Sequence, residues 1–384
     1  MKAVLFVVIN RVFMVGLALP SDSPSDRLSF MNNLRRSVVL AFSVALVLPG
    51  CAPESGAETA EELSPTTVAS PDEQGSNGAG VTSEGTSGTP VVDGAHGGKP
   101  GPVPTPTPTP TPSPAGCSVF PADNWWNTDI SSAAVDPNSA TYVTSIGAGT
   151  SLHPDFGTQY GIPFVKVDAS VSRSTVLFDY AEESDPGPYP IPVNAPIENG
   201  SDAHILMLHT GECKLYELFS ASQSGSQWYA GSGAIWDLKT NSTRPKGWTS
   251  ADAAGLPIYP GLVRQEEVAA GVINHALRFT VPNTQHGYVA PASHYASSSY
   301  DTSRPPMGAR FRLKASYNIS GYPASMQVVL TALKKYGMIL ADNGSSWYVS
   351  GSPSPSWDDE AINTLKQVHG SDFEAIAMGP ITTN

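Results

Sequence analysis

Residues 260–280 read PGLVRQEEVAAGVINHALRFT, which sets Arg264, Glu266 and Glu267 a few residues before His275. A carboxyl beside an imidazole in apolar surroundings is the material of general acid–base chemistry, because burial holds a carboxylic acid in its proton-donating form. Two carboxyls placed ~5 to 9.5 Å apart across a glycosidic bond hydrolyse it. Glu266 and Glu267 are not such a pair, since successive residues of a helical turn diverge by about 100°. The second acid must come from another loop, and Asp185 in SDPGPYPIP is the candidate, because prolines fix its backbone at little entropic cost. The expected catalytic set is therefore Glu267, Asp185 and His275. A structural alternative stands beside it: Arg264 pairs with Glu267 three residues away and keeps it ionised, and His275 is a hydrogen-bonded core histidine.

The remaining chemistry-bearing patterns are weaker. SDAHILMLH places Asp202 and His204 two apart, as two positions of a metal site, but no third ligand follows at a telling spacing. No HExxH or CxxC motif occurs, so neither a metal nor another cofactor is expected. Ser232 in AGSGA lacks the G-x-S-x-G context of a nucleophilic serine, and Asp342 in LADNGSSWY reads as an Asn-Gly turn residue. Trp125 and Trp126 in FPADNWWNTD, with Tyr189, Trp248, Arg264 and His294, form the expected substrate-binding set. Their type suits polysaccharide, since aromatic rings lie flat against the apolar faces of sugars.

These residues need elements to hold them. Period-two alternation marks strands at FVKVD (164–168), AHILMLH (203–209), KLYELF (214–219), INHALRFTV (273–281) and RFRLKASY (310–317). A helical turn is expected from Arg264 to Gly271. Two longer helices are expected late in the chain, in SMQVVLTALKKYG and SWDDEAINTLKQVHG, each stopped by glycine. The fold class is therefore mainly β, an antiparallel sandwich or barrel with long Pro-rich loops and two C-terminal helices; α+β is the alternative.

The N-terminal part has a different composition. Arg35 and Arg36 precede an apolar run from Ser37 to Leu48, then Pro49, Gly50 and Cys51. That is a signal-peptide layout, and Leu48, Gly50 and Cys51 resemble the lipobox of bacterial lipoproteins, which implies lipid on Cys51. Met31 begins a complete signal, so residues 1–50 are a signal region with its start expected at Met31. Residues 51–116 lack the apolar content to fold and end in a Pro-Thr run, a stiff spacer of roughly 34 Å at ~3.1 Å per residue. All seven Trp and all fourteen Tyr fall in 117–384, the expected globular domain. With a net charge of −13 and no basic stripe, nucleic acid is disfavoured as a partner. Contact with a membrane is expected through the lipid alone.

Of the three cysteines, Cys117 and Cys213 remain once Cys51 is lipidated, and an oxidising compartment pairs them as a disulfide. Blocks such as FPADNWWNTDIS, TSADAAGLPIYPGLVR and KKYGMILADNGSSWY resemble segments of secreted bacterial proteins that carry no assigned activity, so the resemblance transfers no catalytic residue. Three expectations follow for a lipid-anchored extracytoplasmic protein. It is a glycoside hydrolase acting on extracellular polysaccharide, a non-catalytic carbohydrate-binding or adhesion domain, or a cell-envelope structural protein. The anchor itself has a direct check: mass spectrometry should find an acylated N-terminal Cys51, and a Cys51→Ser variant should lose detergent partitioning. Unchanged partitioning would remove the lipid.

Overall fold

The computed structural model describes residues 116–383; the signal region, Cys51 and nearly all of the tether lie outside them. The described residues are mainly β, with thirteen strands in three curled, mixed sheets and few, short helices. The strands are β1 (His153–Asp155), β2 (Phe164–Val167), β3 (Val176–Phe178), β4 (Ile205–His209), β5 (Lys214–Phe219), β6 (Ser222–Ser224), β7 (Gln227–Ala230) and β8 (Ser232–Asp237). They continue with β9 (Leu277–Val281), β10 (Arg310–Leu313), β11 (Met338–Asn343), β12 (Tyr348–Ser350) and β13 (Phe373–Ala375). A six-stranded sheet runs β1-β12-β9-β11-β10-β13, a four-stranded sheet β2-β4-β5-β8 and a small one β3-β7-β6.

Hairpins make the antiparallel pairs that alternation implies, as in β4-β5. Pro-rich crossovers add parallel pairs, β1-β12, β9-β11, β2-β4 and β3-β7, so the sheets mix both senses. Central strands are covered on both faces: every residue of β4 and β9 is buried. In β9 this means that Leu277, Phe279 and Val281 fill the main core, while the opposite face carries Arg278 and Thr280, buried as well.

The helices obey the spacing rules. Helix α3 (Ala324–Lys335) buries Met326, Val329, Leu330 and Leu333 on one stripe and packs beside β10. It stops before Gly337, whose φ of +68° is left-handed and whose Cβ position would collide with Phe311 O. Helix α4 (Asp359–Asn363) is capped by the Asp358 side chain and tightens to a 3₁₀ turn at Thr364–Gln367, shorter than its pattern implied. Two others are α1 (Ser139–Ile146) and the single turn α2 (Gln265–Ala269). Among the described residues no helix is long and apolar enough to cross a membrane. The strand expected from 273 starts only at Leu277, because Ala276 N donates to Trp126 O, outside the ladder.

Cys117 and Cys213 form a disulfide with their Cα atoms 5.5 Å apart, closing 96 residues of chain onto the turn between β4 and β5. Loops of that size constrain the unfolded chain strongly, so replacing both cysteines by serine should lower unfolding free energy by about 2–4 kcal/mol. Calorimetry checks this, and an unchanged melting temperature would show that the bridge adds nothing.

Candidate functional site

The residues of the 260–280 stretch do meet, as a closed cluster. Arg264 Nη2 donates to Glu267 Oε1 at 2.6 Å, and His275 Nε2 lies 3.1 Å from Glu267 Oε2. Arg264 also donates to Tyr259 O at 2.8 Å and lies over the Tyr259 ring, and His275 Nδ1 meets Ala276 O at 2.8 Å. All three side chains are buried. Burial alone would raise the Glu267 pKa, but Arg264 and His275 overcome it and hold the carboxyl at about 2. Glu267 is therefore a buried carboxylate with both oxygens occupied, and the proton-donor role expected of it is corrected; Arg264 and His275 are its partners and are buried with it.

Asp185 is committed elsewhere. Its Oδ2 accepts from Arg244 Nη1 at 2.7 Å and from Ile235 N at 2.8 Å, so the stiff loop anchors to β8 and does not face Glu267. Tyr189, fully buried, donates to Asp185 O and packs edge-on against Phe178 and Tyr216, which removes it from ligand contact. Trp248 lies under the Arg244 guanidinium, and His294 stacks on Tyr295 with Nδ1 on Ala253 O at 2.7 Å. The Asp202–His204 pair does not form, because Ala203 has φ +45° and breaks the alternation before β4. Asp202 is exposed, whereas both His204 nitrogens are engaged by Glu198 and Ala251 O. Among the described residues no group of three His, Cys, Asp or Glu could hold a metal. Ser232 donates to Ser250 O and is structural. Trp125 and Trp126 remain together on the wall of a groove.

A different constellation lies on the large sheet. Register places His153 opposite Tyr348, Tyr348 opposite Thr280, and Thr280 opposite Asp342, a row across β1, β12, β9 and β11. One step along, Asp155 is opposite Ser350, whose Oγ accepts from Arg278 Nη1 at 2.6 Å. The His153 and Tyr348 rings stack 3.9 Å apart, which fixes them on one face. Asp342 belongs there only because β11 carries a bulge between Leu340 and Asp342. Without the extra residue its side chain would turn to the apolar face; bulges re-aim side chains in this way.

The bulge also docks a loop. Its Ala341 carbonyl accepts from Ala254 N at 2.9 Å, and Asp252, two residues earlier, clamps Arg278 through Nε at 2.6 Å and Nη2 at 2.8 Å. Gly255 ends this turn at φ +69°, where a Cβ would meet Ser293 Oγ and Trp248 O, so only glycine fits. The far end of the loop is held by Glu217, which accepts from Ile258 N and Tyr259 N.

The carboxyls of this face are in opposite states. Burial and then the neighbouring Asp252 charge push Asp342 up to about 7, with Arg278 Nη2 3.4 Å away opposing. Burial raises Asp155 too. Glu198 is held below its ordinary range: burial would raise it, but the hydrogen bond and charge of His204 overcome that. His204 is raised in turn by Glu198, against its own burial. About a quarter of the Asp342 side chain and 18% of Glu198 reach solvent, so both are accessible, unlike Glu267 at 6%. One carboxyl that keeps its proton near neutrality and one that does not are the two halves of acid–base catalysis.

The buried Arg264–Glu267–His275 cluster gives a structural prediction. Removing one partner of a buried pair leaves an uncompensated charge, so Glu267→Gln should cost about 3–5 kcal/mol. The folded pKa of Glu267 is depressed, so its contribution is complete above about pH 4.5 and is lost as pH falls toward 2. Chemical denaturation across that range should show a flatter acid limb in the variant; an unaltered stability profile would contradict the cluster. No family model, curated protein or solved structure matches this chain.

Proposed function

We propose that the polar face of the six-stranded sheet is a hydrolytic centre acting on glycosidic bonds of extracellular polysaccharide. The observation that supports it most is the bulge that turns Asp342 toward Asp252 and Arg278 while His204 ionises the neighbouring Glu198. Asp342 is the general acid and gives its proton to the leaving oxygen as the carbon–oxygen bond breaks. Glu198 takes a proton from the water whose oxygen attacks the sugar carbon. Arg278, clamped by Asp252 and Ser350, keeps Asp342 in place. Polysaccharide is the substrate class that fits the stacked His153–Tyr348 rings, the exposed Trp125 and the proposed display of the domain on a lipid anchor and stiff tether. The non-catalytic alternative is favoured by one feature, the aromatic groove around Trp125, whose lining contains no carboxylate.

Reducing ends released from a polysaccharide panel separate the two. Asp342→Asn and Glu198→Gln should each lower turnover by roughly 10² to 10⁴-fold while the melting temperature moves by a few degrees at most. In the active protein, kcat/KM should fall as pH rises through about 7, where Asp342 loses its proton, with the acid limb below pH 4.5. Retention on insoluble glycan with no product, or full activity in both variants, would contradict the hydrolytic role.

A further inference from the structure

A shallow groove, open to solvent, lies between the FPADNWWN segment and the Gly255–Pro257 part of the loop that carries Asp252. We infer that this groove is a second glycan-binding site, which holds a neutral sugar ring against Trp125. The inference rests on the polysaccharide reading above, but not on hydrolysis.

Chemistry and pre-organisation both point to such an occupant. Trp125, Trp126 and Trp236 supply the aromatic wall, and only Trp125 is widely exposed, at 48%, so it is the platform a ring can cover. Asn124, Asn241 and Thr243 supply the polar rim. The amides are already aligned: Asn124 Nδ2 donates to Asn241 Oδ1 at 2.9 Å, and Asn241 Nδ2 donates to Asp123 at 3.0 Å. Asn241, which is exposed, keeps a second amide N–H for a hydroxyl. No Lys, Arg, Asp or Glu lines the groove, so nothing there would neutralise a uronate or a phosphate; a neutral glycan fits and an anionic one does not.

The wall is held from behind. Arg310, buried and in no ion pair among the described residues, donates to Trp125 O at 2.8 Å, Thr128 O at 2.9 Å and Tyr336 O at 2.6 Å. Burial pushes this guanidinium down to about 10. A buried cation on the carbonyl of the platform residue fixes the Trp125 backbone before any ligand arrives, which lowers the ordering cost of binding. Trp126 N is fixed likewise by Asn124 Oδ1 at 3.0 Å.

The test measures binding without turnover, in the Asp342→Asn protein, by calorimetric titration with cellohexaose, xylohexaose and mannohexaose, and with hexagalacturonate as the anionic control. At least one neutral hexasaccharide should bind, hexagalacturonate should not, and adding Trp125→Ala should weaken binding by tenfold or more, with Trp125→Tyr recovering part of it. Trp125 is half exposed, so the alanine variant should keep its fold, and circular dichroism verifies that. Undiminished binding in Trp125→Ala, equal binding of hexagalacturonate, or no binding of any neutral probe would overturn the site. Failure of the hydrolytic reading looks different: wild type would release no reducing ends while Trp125-dependent binding persisted.

Discussion

The clamp of Asp252 on Arg278 is the interaction on which the rest of the site depends. Arg278 lies on β9, on the face opposite the main core, and its charge could not be buried there alone. Asp252 supplies the counter-charge through two oxygens, Ser350 satisfies Nη1, and Asp342 stands at 3.4 Å from Nη2. Because Asp252 already answers the guanidinium, Asp342 gains less from it than an isolated carboxylate would. Burial and the Asp252 charge then prevail, and the proton stays on near neutral pH. The same loop that brings Asp252 hydrogen-bonds the bulge that turns Asp342 inward, so position and protonation share one cause.

Two buried arginines close in sequence have different consequences. Arg264 meets a single carboxylate, Glu267, and ionises it fully; His275 closes the cluster and leaves little access. Arg278 meets carboxyls in excess, with Asp252, Asp342 and the nearby Glu198 and Asp155 around one guanidinium and two histidines, His153 and His204. Not all can ionise in a low-dielectric setting, so one retains a proton. Charge balance, rather than burial alone, sets the two arginine clusters apart.

Much of the frame was legible in the sequence. Alternation located β2, β4, β5 and β10, glycine marked the end of α3, and elimination paired Cys117 with Cys213. The spacing of Arg264 and Glu267 foretold their ion pair. The polar face was not legible, because its members come from His153, Glu198, Asp252, Arg278, Asp342 and Ser350, spread over some two hundred residues and joined only by sheet register and by loops docked onto the sheet. Asp342 was read as a turn residue because Asn343-Gly344 is a turn signal, whereas the strand runs on to Asn343 and its bulge sets which face Asp342 takes. Asp202 and His204 erred for a related reason: Ala203 at positive φ separates residues that a regular strand would align. Arg278 did fall on the side opposite Leu277 and Phe279, as the pattern implied, but nothing local showed that this side would be covered.

The central claim is that Asp342 carries a proton near neutral pH because Asp252 and burial outweigh Arg278. A ¹³C NMR titration of the aspartate carboxyl carbons, with the Asp342 signal assigned through Asp342→Asn, measures this directly. A midpoint close to 7 is the result the account requires. A midpoint at the ordinary carboxylate value near 3.8 would contradict it and leave the polar face a network of ion pairs with no acid to offer.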